Sequence, residues 1–498
     1  MSGLKGVLGA ALMLAAIPAD AAWRRAETAN FILYGDMSEK QIAERARALE
    51  DFDALLRMLT GISSGPPANR LPVYFAPDNS KMQIIRPVPG IVAGFYSATP
   101  DGIAAFVDRT TDRYRIFRND TLFHEYVHHF MLQYFPAGYP KWYVEGFAEY
   151  LMTVDFRDGE VDIGRYNAER ALWLLNQRDW LPFEHMMFGS DRKARADDAM
   201  RLYAQSWLLV HYLMNDDARR AATPKYMTAL AKGEDGRKAF AEIFGFPSSE
   251  LDARLRTYAK AGIAYRRLVW QSRAEAKVAT PTLAIGDYPL LQAAMRSAVP
   301  EKQQAALRGR VKRAVGKRED ELSLRLLAQA EALYGDGTDA DRLLDRLLAV
   351  RAEDAELLYL KGMRHLRAGR QDEAARKAEY AKARTWFARA HKADGNHFPT
   401  LYRYAEALSL EPDYASVNTR NILMLAHSLA PQVTEIGLQA AQLLMLRGEF
   451  RAAEGVLAPI AASTHHPKGS AAALALMETA RAGQKPEELL GFGFAADE

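Results

Sequence analysis

The chain has 498 residues, with 65 Lys and Arg against 62 Asp and Glu, a formal net charge of +3 and no cysteine. A balance this close, without a basic block or interleaved basic and aromatic residues, excludes nucleic acid as the expected partner. The lack of cysteine excludes disulfides, a lipoprotein-type anchor and thiolate metal ligands, so any metal must be held by His and carboxylate.

The length suggests two or three domains. Residues 1–21 combine a charged start, a short apolar core from Gly6 to Ile17 and the small-residue run Ala19-Asp20-Ala21. This pattern predicts a secretory signal peptide cleaved after Ala21 or Ala22, and a periplasmic or secreted bacterial protein. No later run is long and apolar enough to predict a transmembrane segment; the alternative for residues 1–21 is an uncleaved membrane anchor.

Asn30 to Tyr34 predicts a strand, and Ser38 to Gln41 predicts a capping box opening a helix. That helix carries Ile42, Ala46, Leu49, Phe52, Leu55, Leu56 and Leu59 on one face and ends at Gly61. Pro72 to Ala76 predicts a second strand. Ile91 to Tyr96, the turn Thr99-Pro100-Asp101-Gly102 and the β-prone run to Asp108 predict a hairpin.

Next comes an apolar helix, Leu122 to Met131, with an N-cap expected at Asn119 to Thr121. It contains His124-Glu125-Tyr126-Val127-His128. Histidines at i and i+4 share a helix face and can aim two imidazoles at one tetrahedral ion. Glu125 lies beside them as a general base for an attacking water; the alternative is a pair of core histidines with Glu125 capping or pairing with a neighbour. A catalytic zinc takes three protein ligands, and Glu145, in Lys141-Trp-Tyr-Val-Glu-Gly-Phe-Ala-Glu-Tyr150, is the third. Zn2+ is the expected ion, although a site of two His and one carboxylate also suits other divalent metals.

Val154 to Phe156 and Val161 to Ile163 predict a small hairpin about Asp158-Gly159, and Arg201 to Leu213 an amphipathic helix. Residues 271–300, punctuated by Thr280-Pro281, Gly286 to Pro289 and Val299-Pro300, predict a linker. Beyond it, helix–Gly–helix segments such as 355–374 and 435–454 recur at about 34 to 42 residues.

The pair His-Glu-x-x-His and Trp-x-x-Glu-Gly-x-Ala-Glu-Tyr resembles the gluzincin metallopeptidases, in particular the peptidase-MA-like group of bacterial secreted proteins. The resemblance implies an α+β zincin-like metallopeptidase domain over 22–270, with Glu145 as the zinc ligand. It also implies that Glu149, one turn on, is a carboxylate fixing the tautomer of a ligand histidine. The reverse assignment, Glu149 as ligand and Glu145 as support, stays open. Gluzincins often take a transition-state oxyanion donor from a downstream Tyr or His, which here means Tyr203 first and His211 second, against the alternative of a buried amphipathic helix. In that family the edge strand before the metal helix pairs with extended substrate backbone, so the hairpin is either a peptide-holding edge or an ordinary one. No Gly-Ala-Met-Glu-Asn-like exopeptidase signature is present, which favours an endopeptidase.

Residues 301–490 resemble tetratricopeptide repeats, which implies an all-α, TPR-like domain that holds a protein partner or buttresses its neighbour. The expected function is a zinc endopeptidase acting on protein or peptide substrates. The competing reading is a cell-envelope scaffold with a non-catalytic peptidase-like domain.

Overall fold

The structure is a computed structural model that describes residues 23–87, 94–109, 120–157, 159–189, 198–272, 274–279, 286–297, 299–463 and 466–494. The signal-peptide expectation, the Asn119 cap and the Thr280-Pro281 punctuation lie outside these residues. Among the described residues no helix is long and apolar enough to cross a membrane.

Six strands, β1 (Trp23–Glu27), β2 (Phe31–Asp36), β3 (Leu71–Ala76), β4 (Gly94–Thr99), β5 (Gly102–Asp108) and β9 (Lys277–Ala279), form one sheet in the order β4-β5-β3-β2-β1-β9. β2, β3 and β5 run parallel, and the outer pairings are antiparallel. Side chains along β3 alternate between two cores, as a period of two requires. Leu71, Val73 and Phe75 enter one core, Tyr74 and Ala76 the other.

The first core lies under two helices. Glu39–Thr60 starts at the Ser38–Gln41 capping box and stops at Gly61 in the left-handed region, where a side chain would be strained. It buries Phe52 against Phe123 of helix Asp120–Tyr134, the rings stacked with centroids 3.9 Å apart. Helix Lys141–Leu151 packs against helix Asp198–Met214. That approach requires glycine: a Cβ on Gly146 would sit 2.5 Å from the Ser206 carbonyl oxygen. A small sheet of β6 (Asp155–Arg157), β7 (Glu160–Ile163) and β8 (Arg266–Val269) follows, with the expected hairpin turning at Gly159, φ 81°.

The C-terminal region is helical from Tyr288 to Arg481. Successive helices pack on one another, and alternate ones also touch: Glu321–Tyr334 on Ala355–Gln371, then Ala355–Gln371 on Phe398–Leu408. Alternate helices from Glu321 onward begin at intervals of roughly 33 to 43 residues, the spacing of helical-pair repeats.

The stretch 271–300 is not a free linker. Lys277–Ala279 is a strand paired with β1, and helix Tyr288–Met295 buries Leu290, Leu291 and Met295 against the second sheet face with Tyr74 and Phe106. Three strand residues are too few for a period-two signal, and Pro and Gly nearby read as punctuation.

The two regions are clamped where the β4–β5 hairpin turns. The Asp101 carboxylate accepts from Arg403 at 2.8 and 2.9 Å and from the Tyr359 hydroxyl at 2.9 Å. Ala98 on β4 packs with Leu401, Val433 and Ile436, so helical-region side chains cover the far half of the edge strand. Gln432 reaches the metal-motif helix itself, its Nε2 donating to the His129 carbonyl at 3.3 Å.

Candidate functional site

Helix Asp120–Tyr134 is buried along most of its length, and its outward stripe meets helix Lys141–Leu151. The i, i+4 spacing stacks His124 over His128 with their Nε2 atoms 3.1 Å apart. Glu145 Oε2 lies 3.5 Å from each of these nitrogens. Three donors bound at about 2.0–2.1 Å to a tetrahedral ion lie about 3.3–3.4 Å from one another, so the donor set and its spacing fit zinc. His124, His128 and Glu145 also form the one group of three or more such side chains among the described residues whose donor atoms converge within 4.8 Å.

Glu149 takes the place expected of a supporting carboxylate. Its Oε1 is 3.5 Å from His124 Nδ1, on the ring edge away from Glu145. Arg170 grips it from behind, Nε and Nη2 donating at 3.0 and 3.1 Å to the two carboxylate oxygens. An oriented carboxylate on Nδ1 leaves Nε2 as the free lone pair. Burial alone would lower the His124 pKa; the hydrogen bond that its ring donates to Glu145 and the charges of Glu125 and Glu149 more than offset this and hold it above the ordinary histidine value. Asp120, at the start of the helix, is pushed up to about 6 by burial and the Glu149 charge, with Asn167 donating to it at 3.1 Å and opposing the shift.

Glu125, next to His124 on the helix, is half-buried, and its charge acts on His124, Tyr96 and Tyr203. Tyr203 meets the cluster from helix Asp198–Met214, its ring edge-on to His124 at 6.3 Å and under the Arg170 guanidinium at 5.1 Å. Burial, reinforced by Glu145 and Glu149, pushes its hydroxyl up to about 12, so it keeps its proton at neutral pH.

His211 is placed elsewhere. It sits two helical turns beyond Tyr203, about 12 Å along the axis. There it is fully buried, with Nδ1 2.8 Å from the Tyr258 hydroxyl and its ring against Tyr150 and Trp207. Burial pushes its pKa down to about 4. It is a core histidine, and its stripe with Tyr203 reflects helix periodicity alone.

Arg170, Asp120, Asn167 and Gln432 were not anticipated as neighbours of the site. Arg170 is 21 residues from Glu149 in sequence, and a lone arginine on an amphipathic helix carries no local signal of its partner.

No family model matches the chain, and no curated protein sequence matches it. Among solved structures, a thermophilic TPR protein of Thermus thermophilus is similar to part of it, with 18% identity, coverage of 36% of this chain and 91% of that chain, and a TM-score of 0.28.

Proposed function

We propose that this chain is a zinc-dependent endopeptidase of the gluzincin kind whose zincin-like domain is backed by a tetratricopeptide-like helical region. The observation that carries the reading is the triangle of His124, His128 and Glu145 donors at tetrahedral spacing, with the Glu125 charge acting on His124 and Glu149 behind that ring.

Zinc held by these three side chains would supply a Lewis acid for a scissile carbonyl and for water. Glu125 takes the proton of the attacking water and returns it to the leaving amine. Tyr203, protonated at neutral pH, donates toward the carbonyl oxygen as negative charge grows there. Glu149 and Arg170 keep the His124 ring fixed, so that neither the ring nor its tautomer must reorganise during the reaction. The near half of edge strand β4, Gly94 to Tyr96, presents backbone groups beside the metal-motif helix, and extended substrate pairs there. The helical region holds a protein segment, substrate or partner, on the surface left by its stacked helices.

Purified protein is expected to contain about one zinc per chain and His124→Ala little, by elemental analysis. Glu125→Gln keeps the metal and loses about 10²–10⁴-fold in cleavage of unfolded protein. Cleavage by Glu125→Gln at the wild-type rate would sink the reading.

A further inference from the structure

The stripe that presents His124 and His128 continues toward the helix C-terminus through Leu132 and Phe135, and there it lines a cavity of about 70 Å3. His128 is one wall of this cavity, Leu132 and Phe135 another, and Val144, next to Glu145, a third. The remaining wall comes from more than 300 residues away: Pro459 and Ala462, at the end of helix Phe450–Ala461 in the helical region. Contact there is close, since a Cβ on Gly138, in the loop joining the two ligand helices, would lie 3.2 Å from the Ala458 carbonyl oxygen.

We infer that this cavity is a specificity pocket for a small aliphatic side chain adjoining the scissile bond, and that Ala462 and Pro459 of the helical region set its size. The inference rests on the zinc-peptidase reading above. Three features argue for that occupant. The cavity shares His128 with the donor cluster, so a residue whose carbonyl sits at the cluster has its side chain within reach. Apart from His128, Tyr139 and Ser463 the lining is apolar, so a charged or amide side chain would lose hydrogen bonds on entering. Its volume corresponds to about two water molecules of liquid, which suits Ala, Val or Leu and refuses an indole. Leu132, Phe135, Val144 and Ala462 are each only half-buried, so the pocket is open to an incoming chain. The helical region would then choose the bond to be cut as well as hold the protein being cut.

The test uses the zinc-loaded full-length chain and a series of N-acetyl amino-acid hydroxamates, in which a chelating group stands next to a varied side chain, with binding read by calorimetry. Affinity should rise about tenfold or more from the Gly compound to the Val or Leu compound, and fall for Trp. Ala462→Trp, which fills the pocket, should flatten that rise while the Gly compound binds as to wild type. Pro459→Ala, which enlarges the pocket, should shift the optimum to a larger side chain. The same side-chain ladder in wild type and both variants would overturn the pocket while leaving zinc binding in place. If Ala462→Trp also lost the Gly compound, the variant would be misfolded and Pro459→Ala would decide. Failure of every hydroxamate, Gly included, on zinc-supplied wild type would overturn the peptidase reading and the pocket with it.

Discussion

Both halves of the molecule bury carboxylates, and they surround them differently. In the helical region, Glu331 is met by Arg308 at 2.7 Å and Lys312 at 3.0 Å, and Glu406 by Arg370 at 2.6 Å and Arg403 at 3.0 Å. In the sheet region, Glu149 follows the same rule with Arg170. Glu145, fully buried one turn away, lies instead against two imidazoles. A buried carboxylate is costly unless a cation answers it. Glu331, Glu406 and Glu149 are each met by a guanidinium, whereas Glu145 is set against the imidazoles of His124 and His128.

The sharpest way to separate the two kinds of burial is to remove one partner from each. Arg403→Met leaves buried Glu406 and half-buried Asp101 with one cation fewer, and should cost about 3 kcal/mol of stability in chemical denaturation. Zinc content per folded chain should stay at the wild-type level. A loss below about 1 kcal/mol would mean that the hairpin clamp is ornamental. The clamp also changes what truncation means. A chain ending near residue 300 would lose Val311 and Leu326 from the second face of the sheet, so it should lose folding as well as partner binding.

Glu145→Ala makes the opposite trade. It removes the carboxylate that lies 3.5 Å from both imidazoles, so zinc affinity should fall by at least about 100-fold, roughly 2.7 kcal/mol, while the zinc-free protein stays folded. Competition with a chromophoric chelator measures the affinity, and thermal melting of the zinc-free forms the stability. If Glu149→Ala lost zinc completely while Glu145→Ala kept it, the two carboxylates would exchange roles, the alternative left open by their i, i+4 spacing.

The site was more legible in the sequence than the architecture around it. His124, Glu125 and His128 are local: helix period fixes their mutual placement, and Glu145 and Glu149 come with a second helix of the same period. The capping box at Ser38 and the β4–β5 hairpin are equally local. What the sequence hid depends on contacts with no period. Asp101 and Arg403 are 302 residues apart, and β9 shows itself only through its pairing with β1. Tyr203 and His211 share a helical stripe, and only the packing of that helix shows that one end reaches the cluster and the other ends in the core.

The finest comparison is between two buried histidines, His124 and His211. His124 is ringed by carboxylates that hold its pKa up, whereas His211 has only the Tyr258 hydroxyl and the Gly164 backbone, and burial drives it to about 4. A folded-state value below the unfolded value near 6.5 means that the unfolded chain binds the extra proton between about pH 6.5 and 4. The stability held by neutral His211 is therefore complete above about pH 6.5, declines as pH falls, and is fully lost once pH passes below about 4. At pH 5 the decline amounts to about 2 kcal/mol. His211→Asn, whose amide can still meet the Tyr258 hydroxyl but does not titrate, should flatten the fall in stability from about pH 7 to pH 5 by that amount. Zinc content should not change. An undiminished slope would place the acid sensitivity in other groups, His129 first, since burial also lowers it to about 4. A loss of zinc in His211→Asn would return that residue to the site from which its packing separates it.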